Sequence, residues 1–277
     1  MGHVLPYEGK HLECPLCRAP LGQQGSSVLC AAGHNFDIAK KGYVNFNPVQ
    51  RPSKYTKELF VHRQFVFEQG FYQPAADAIM EEIAAYTQGK ANMLILDAGC
   101  GEGYYAGAAS NAFPEASLYA VDISKQAVMM GAGRDKRSLF MVADLAQLPL
   151  EDACVDVLLN ILSPANYQEF SRVMKKDAVL IKVIPEREYL CEIREQVQGS
   201  LRNRAYSNEQ VLSLLQKQMN VLHTRRITYK KACNSQQSEA LFAMTPLTLG
   251  VDSGVLQKSA ITEITIDLLL VACSTRG

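Results

Sequence analysis

The stretch Met93-Leu94-Ile95-Leu96-Asp97-Ala98-Gly99-Cys100-Gly101-Glu102-Gly103 decides how the rest of the chain is read. Its first four residues are unbroken apolar, the pattern of a strand buried on both faces of a parallel sheet. The strand runs into a loop of alternating glycines, which lets the backbone turn sharply and approach a ligand before a helix begins. Tyr104 stands where a dinucleotide fingerprint needs its last glycine, so the loop alone points to a nucleotide-type crossover without naming its ligand.

Toward the C-terminus, Ser117 to Val121 reads as a second strand ending in Asp122, and Leu139 to Ala143 as a third ending in Asp144. A carboxylate after the second strand can accept both hydroxyls of an adenosyl ribose, and one after the third can receive an adenine amino group. Asp97, Asp122 and Asp144 could each instead cap a following helix. Three in succession, with a glycine loop after the first, favour a cofactor. Val155 to Leu162 continues as a fourth strand, then comes a helix around Phe170, then a fifth strand, Ala178 to Val183. Strands alternating with helices give an α/β, Rossmann-like doubly wound sheet with ligand groups at the strand C-termini. Beyond it, Glu186 to Lys217 reads helical, Val221 to Tyr229 as a strand, and Ile261 to Val271 as a long final strand able to return antiparallel. Ser235 to Gly250 is left for a substrate-facing insert.

Toward the N-terminus the pattern is different. Cys14, Cys17, Cys30 and His34 follow C-x2-C and C-x3-H spacing, so two ligands turn inward from each of two tight knuckles. Three thiolates and one imidazole close a tetrahedron around a structural Zn2+ and hold together a segment too small to own a core. The following Phe36 to Asn45 mixes aromatics with lysines. These aromatics either stack on unpaired RNA bases or plug the ribbon against its neighbour. The 277 residues carry 28 basic and 28 acidic side chains, so net charge gives no hint of nucleic acid. Local charge does: Lys40, Lys41, Arg51, Lys54, Lys57 and Arg63 face only Glu58 as an acid between positions 40 and 63, and are candidate RNA contacts, although a solvated connector has the same composition. The expected division is a zinc module over 1–50, a basic linker over 51–75 and a catalytic domain over 76–277. No apolar run spans a bilayer, no signal-type segment stands at the start, and the thiols suit a reducing compartment, so a cytoplasmic protein without membrane contact is expected.

Taken together, Cys14-Pro15-Leu16-Cys17, Cys30 with His34, Gly42-Tyr43-Val44-Asn45, Gly70-Phe71-Tyr72-Gln73-Pro74 and Asp97 to Tyr105 resemble one family across nearly the whole chain: the bacterial 23S ribosomal RNA (guanine-N1)-methyltransferases, which include macrolide-resistance enzymes. The resemblance implies a class I methyltransferase domain behind a zinc ribbon, S-adenosylmethionine as cofactor, a ribosomal RNA hairpin as substrate and a homodimer. It also carries cofactor contacts to Tyr72, Gly101, Glu102 and Tyr189, where many members have histidine at the last. In the linker, Lys54-Tyr55 and Val61-His62-Arg63-Gln64 depart from the family's Gly-Asp and Ala-Arg-Arg. Together with the strand-derived positions, the expected cofactor set is Tyr72, Asp97, Gly99, Gly101, Glu102, Asp122, Asp144 and Tyr189. Asn160 opens the stretch Asn160 to Pro164 at the end of the fourth strand, where the acceptor sits in such folds. It either orients the base edge catalytically or caps the next helix. Competing readings are a methyltransferase of another RNA nucleotide or of a small molecule, and an RNA-binding relic without chemistry.

Overall fold

The computed structural model describes residues 4–47, 56–197, 207–248, 251, 254 and 261–276. Strands β1 (Leu21–Gln24), β2 (Ser27–Cys30) and β3 (Asn35–Asp37) form a small antiparallel sheet. The first hairpin turns at Gly25, whose φ of +61° suits a residue without a Cβ. The chain then enters β4 (Tyr43–Asn45) and, after the undescribed 48–55, helices α1 (Lys57–Glu68) and α2 (Gln73–Tyr86).

The remaining elements in chain order are β5 (Leu94–Ala98), α3 (Tyr104–Ala112), β6 (Ser117–Asp122), α4 (Lys125–Arg134), β7 (Leu139–Val142), β8 (Val155–Ile161), α5 (Tyr167–Val173), β9 (Met174–Pro185), α6 (Cys191–Val197), α7 (Glu209–Gln218), β10 (Met219–Ala232), α8 (Ser235–Met244) and β11 (Glu263–Thr275). They build one eight-stranded sheet in the order β10-β11-β9-β8-β5-β6-β7-β4. Every neighbouring pair is parallel except those made by β11, which runs against both β9 and β10. The chain leaves β5 toward β6 and β7, then crosses back to β8. That reversal opens a crevice at the strand C-termini, where such sheets take ligands.

The doubly wound reading therefore stands, and so does the antiparallel return. Three expectations need correction. The supposed basic linker is largely helical, because Thr56 caps α1 by accepting from the Leu59 amide at 3.3 Å and a buried row of Leu59, Phe60, Val66 and Phe67 seats the helix. The zinc module is also not an appendage on a tether: β4 adds to the main sheet by pairing with β7, and Leu12, Val28, Phe36 and Ile38 share one apolar core with Leu94, Leu96 and Tyr119 of the sheet. The second face is filled by Phe71, Tyr72, Ile79, Ile83 and the inward residues of β9 and β11. The helical stretch expected over 186–217 is split into α6 and α7, with 198–206 outside the described residues. Among the described residues, no helix is long and apolar enough to cross a membrane.

Candidate functional site

A cavity of about 570 Å³ opens over the C-termini of β5, β6, β7 and β8. Of the expected cofactor residues, Tyr72, Gly99, Asp122, Asp144 and Tyr189 line it, whereas Asp97, Gly101 and Glu102 lie outside its wall. Asp122 is not a helix cap. Its Oδ2 accepts from the Gly101 amide at 2.9 Å and its Oδ1 from the Ser124 amide at 2.8 Å, while Ser124 caps α4. The strand-end carboxylate thus ties the glycine loop to the next turn and holds its position in the cavity. Gly99 has a φ of +87°, and a Cβ there would lie 1.9 Å from Ser163 Oγ, so only glycine lets the loop after β8 come this close.

Asp97 is 1% exposed and its Oδ2 has no hydrogen-bond partner among the described residues. Burial, reinforced by the charge of Asp122, pushes its carboxyl up to about 7. Burial likewise raises Glu102, against the opposing pull of Arg63. Three acids around one loop form a field that suits a cationic ligand.

Several lining residues escaped the sequence reading. Phe60, Arg63 and Phe67 of α1 reach the cavity together, as do Tyr105, Leu162, Pro164 and the segment Met244 to Leu247 after α8. The i, i+3, i+7 spacing of 60, 63 and 67 was a legible signal of one helix face, hidden by reading the segment as a connector. The expected substrate-facing insert over 235–250 begins as a helix opened by a reciprocal capping box between Asn234 and Gln237, and its far end forms part of the cavity rim.

Arg63 is a correction. Grouped by sequence with RNA-facing cations, it instead turns inward, with Nε 3.4 Å from Glu102 Oε1 and its guanidinium 5.6 Å from the Phe67 ring centre. Asn160 is another. It is fully buried, its amide donates to the carbonyls of Ala98 at 2.7 Å and Pro164 at 3.0 Å, and its Oδ1 accepts from Lys182 Nζ. Lys182 also donates to the Ser163 carbonyl at 2.5 Å. With its amide and carbonyl engaged inside the protein, Asn160 braces the loop after β8 and does not meet a substrate. Nor does it cap α5, since Asn166 does. Burial lowers the Lys182 ammonium to about 8.

In the N-terminal ribbon, ligand atoms of Cys14, Cys17, Cys30 and His34 all lie within 4.8 Å of one another. His34 Nδ1 is 3.5 Å from Cys14 Sγ and 3.4 Å from Cys30 Sγ, and Cys17 Sγ is 3.6 Å from Cys30 Sγ. Tetrahedral zinc with bonds of about 2.0–2.3 Å demands ligand separations of about 3.4–3.8 Å, so the four residues fit the metal. Burial pushes the Cys30 thiol up, but hydrogen bonds involving the His34 backbone, Cys17 and the Ala32 backbone outweigh it and bring the thiol to about 6.

Of the remaining RNA candidates, Lys40, Lys41 and Lys57 are exposed, and Arg51 and Lys54 lie outside the described residues. The aromatics beside them are not free to stack on bases. Phe36 and Tyr43 are buried, and Phe36 packs on Phe46 with ring centres 4.9 Å apart, so they plug the ribbon onto the sheet. Sequence spacing also missed Lys136, whose Nζ donates to the Lys41 carbonyl at 3.0 Å and enlarges the basic surface.

Comparison with known proteins bears on both regions. Residues 12–54 match the family model described as the N-terminal zinc ribbon of RlmA, and residues 96–181 match a methyltransferase domain. YxjB of Bacillus subtilis, which carries the name of a 23S rRNA (guanine-N1)-methyltransferase, is 36% identical over 92% of this chain and 94% of its own. A Micromonospora griseorubida protein of the same name is 35% identical over 69% of this chain and 71% of its own. The 23S rRNA (guanine(748)-N1)-methyltransferase of Streptomyces fradiae is 26% identical over 95% of this chain and 96% of its own.

Proposed function

Because this chain belongs to the family of bacterial 23S rRNA (guanine-N1)-methyltransferases, we propose that its cavity serves S-adenosylmethionine-dependent methylation of a guanine N1 in 23S ribosomal RNA. Asp122 carries the reading: a strand-end carboxylate fixed by the glycine loop at the crevice of a doubly wound sheet is where an adenosyl ribose is held.

S-adenosylmethionine supplies a sulfonium-bound methyl group for in-line displacement. The chain's own residues bind, orient and exclude water. Asp122 accepts the ribose hydroxyls. Asp144 receives the adenine amino group, and Phe60 and Ile123 give that end of the cavity apolar contact. Tyr72 and Tyr189, whose hydroxyls lie 2.5 Å apart, hold the amino-acid end. Gly101 shapes the loop from behind the wall, where Asp97 and Glu102 are carboxyls whose ionised form a bound sulfonium would favour. Leu145, Pro164 and Met244 to Leu247 frame the mouth by which a guanine enters. N1 lies on the pairing edge of guanine, so the target base must be unpaired or extruded, as a hairpin loop allows.

The zinc ribbon, with Zn2+ on Cys14, Cys17, Cys30 and His34, is the RNA-selecting module. Lys40, Lys41 and Lys57 meet phosphates, and two copies of the chain acting as a homodimer flank the hairpin in the cytoplasm. Mass mapping of 23S rRNA from cells with and without the gene tests the activity: one guanine gaining a methyl on N1 is the expected result, and a methyl on another atom or on no RNA overturns it. Lys40→Glu with Lys41→Glu tests the module. Its salt slope of RNA binding falls by about 1.5, with S-adenosylhomocysteine affinity unchanged, whereas an unaltered slope removes these lysines from the interface.

A further inference from the structure

One corner of the cavity holds more hydrogen-bond donors than acceptors. Tyr105 is buried, lines the cavity, and its hydroxyl has no hydrogen-bond partner among the described residues. The Tyr72 and Tyr189 hydroxyls bond each other, which engages one of their two protons. Burial raises Tyr72 and Tyr105 far above the ordinary phenol range, so both stay protonated and act as donors. Arg63 stands among them. Its nearest carboxylate contact is through Nε, and at 3.4 Å it is longer than a normal charge-assisted bond. Its other guanidinium nitrogens lie over Gly101, where a Cβ would come within 3.0 Å of Nη2, and they meet no acceptor among the described residues.

A half-buried guanidinium fork beside two unmatched phenolic protons is complementary to a planar anion. The acids of the glycine loop and its neighbouring strand ends are otherwise engaged: Asp122 is tied to the glycine loop, Asp97 is buried behind it, and Glu102 meets Arg63 from the Nε side. An amino-acid tail has a carboxylate for the first group of residues and an ammonium, next to a sulfonium, for the second. We propose that Arg63, assisted by Tyr105, anchors the α-carboxylate of the cofactor, with Glu102 holding the guanidinium in place. The inference rests on the cofactor reading above and adds a residue that its position in the chain had assigned to RNA.

Calorimetric titration of two ligands tests it. S-adenosylhomocysteine has the amino-acid tail, and 5′-methylthioadenosine lacks it while keeping the adenosyl thioether. Arg63→Met is expected to weaken S-adenosylhomocysteine about 30- to 100-fold, the value of one charge-assisted bidentate contact. Its affinity for 5′-methylthioadenosine stays within about threefold, which also shows that the cavity is intact. Tyr105→Phe follows the same pattern at about 5- to 10-fold. Equal loss of both ligands in Arg63→Met makes the residue structural and overturns the proposal, as does undiminished S-adenosylhomocysteine binding. A tail-selective loss in Arg194→Ala, with Arg63→Met unaffected, moves the anchor to the other arginine of the cavity and overturns it too. If the wild-type protein binds neither ligand, the cofactor reading itself fails, an outcome distinct from the other three.

Discussion

The zinc ribbon and the cofactor cavity are built on opposite principles. The ribbon's four ligands all fall between Cys14 and His34, and their spacing states the chemistry outright. The cavity draws its wall from Phe60 to Leu247, across both directions of the crossover and from helices on either side of the β5 loop. A local site depends on its ligand to be a structure at all, whereas a distributed site depends on the fold and exists before its ligand arrives. The two are joined by the apolar core that links Leu12, Val28 and Phe36 to the sheet, by β4 on the sheet edge, and by polar contacts such as Arg18 with Asp152 and Gln147 with the Pro15 carbonyl.

The largest expected effect comes from breaking the local site. Cys14→Ser, or chelation, should release the metal and unfold the ribbon at a cost on the order of 5–10 kcal/mol, a sizeable part of what such metal sites contribute. Metal analysis and hydrogen exchange would report it, and amides of β4 and β7 should lose protection because they share a ladder. S-adenosylhomocysteine affinity should change less than about threefold. A parallel collapse of that affinity would mean that the two regions are energetically one.

A smaller effect probes the distributed site from behind. Asn160→Ala leaves the buried Lys182 ammonium without its side-chain partner and should cost about 2–4 kcal/mol in urea unfolding. Adding Lys182→Met should recover most of that loss, since an apolar pair of similar volume needs no partners. If Asn160→Ala instead unfolds like the wild type and loses turnover alone, the residue belongs to the chemistry and not to the brace.

The smallest effect is a pH dependence. The folded Asp97 pKa lies near 7 against an ordinary value of 3.8, so the folded state holds a proton that the unfolded state has released. Its stabilising contribution is complete below about pH 4 and is lost as pH rises through 7. The wild-type protein without cofactor should therefore lose about 2–3 kcal/mol between pH 5 and pH 8 relative to Asp97→Asn. Zinc ligands titrate alike in both proteins, so the difference isolates this carboxyl. Parallel stability curves would place Asp97 in a more polar setting than its burial implies.

Legibility followed the same division. The knuckle spacing, the buried strand before Gly99 and the aspartates at 122 and 144 could be read because each depends on a few consecutive residues: a strand must be apolar, a tight loop needs glycine, and a tetrahedron needs four donors within reach. Arg63 could not be read, because a basic helix with a buried face looks like a basic connector until α1 is packed on its neighbours. Asn160 looked like a site residue because a polar side chain at a strand end commonly is one. Its partner, Lys182, lies 22 residues away and becomes a neighbour only through the β8–β9 register.

By itself, then, the sequence determined the doubly wound sheet, the zinc ligands and the strand-end carboxylates, since these follow from local propensity and fixed spacing. Only the tertiary structure decided which polar side chains face the cavity and which are sealed behind it. That choice is set by the burial and pairing of groups distant in the chain, and each side chain's charge and hydrogen bonds acquire their meaning from those neighbours.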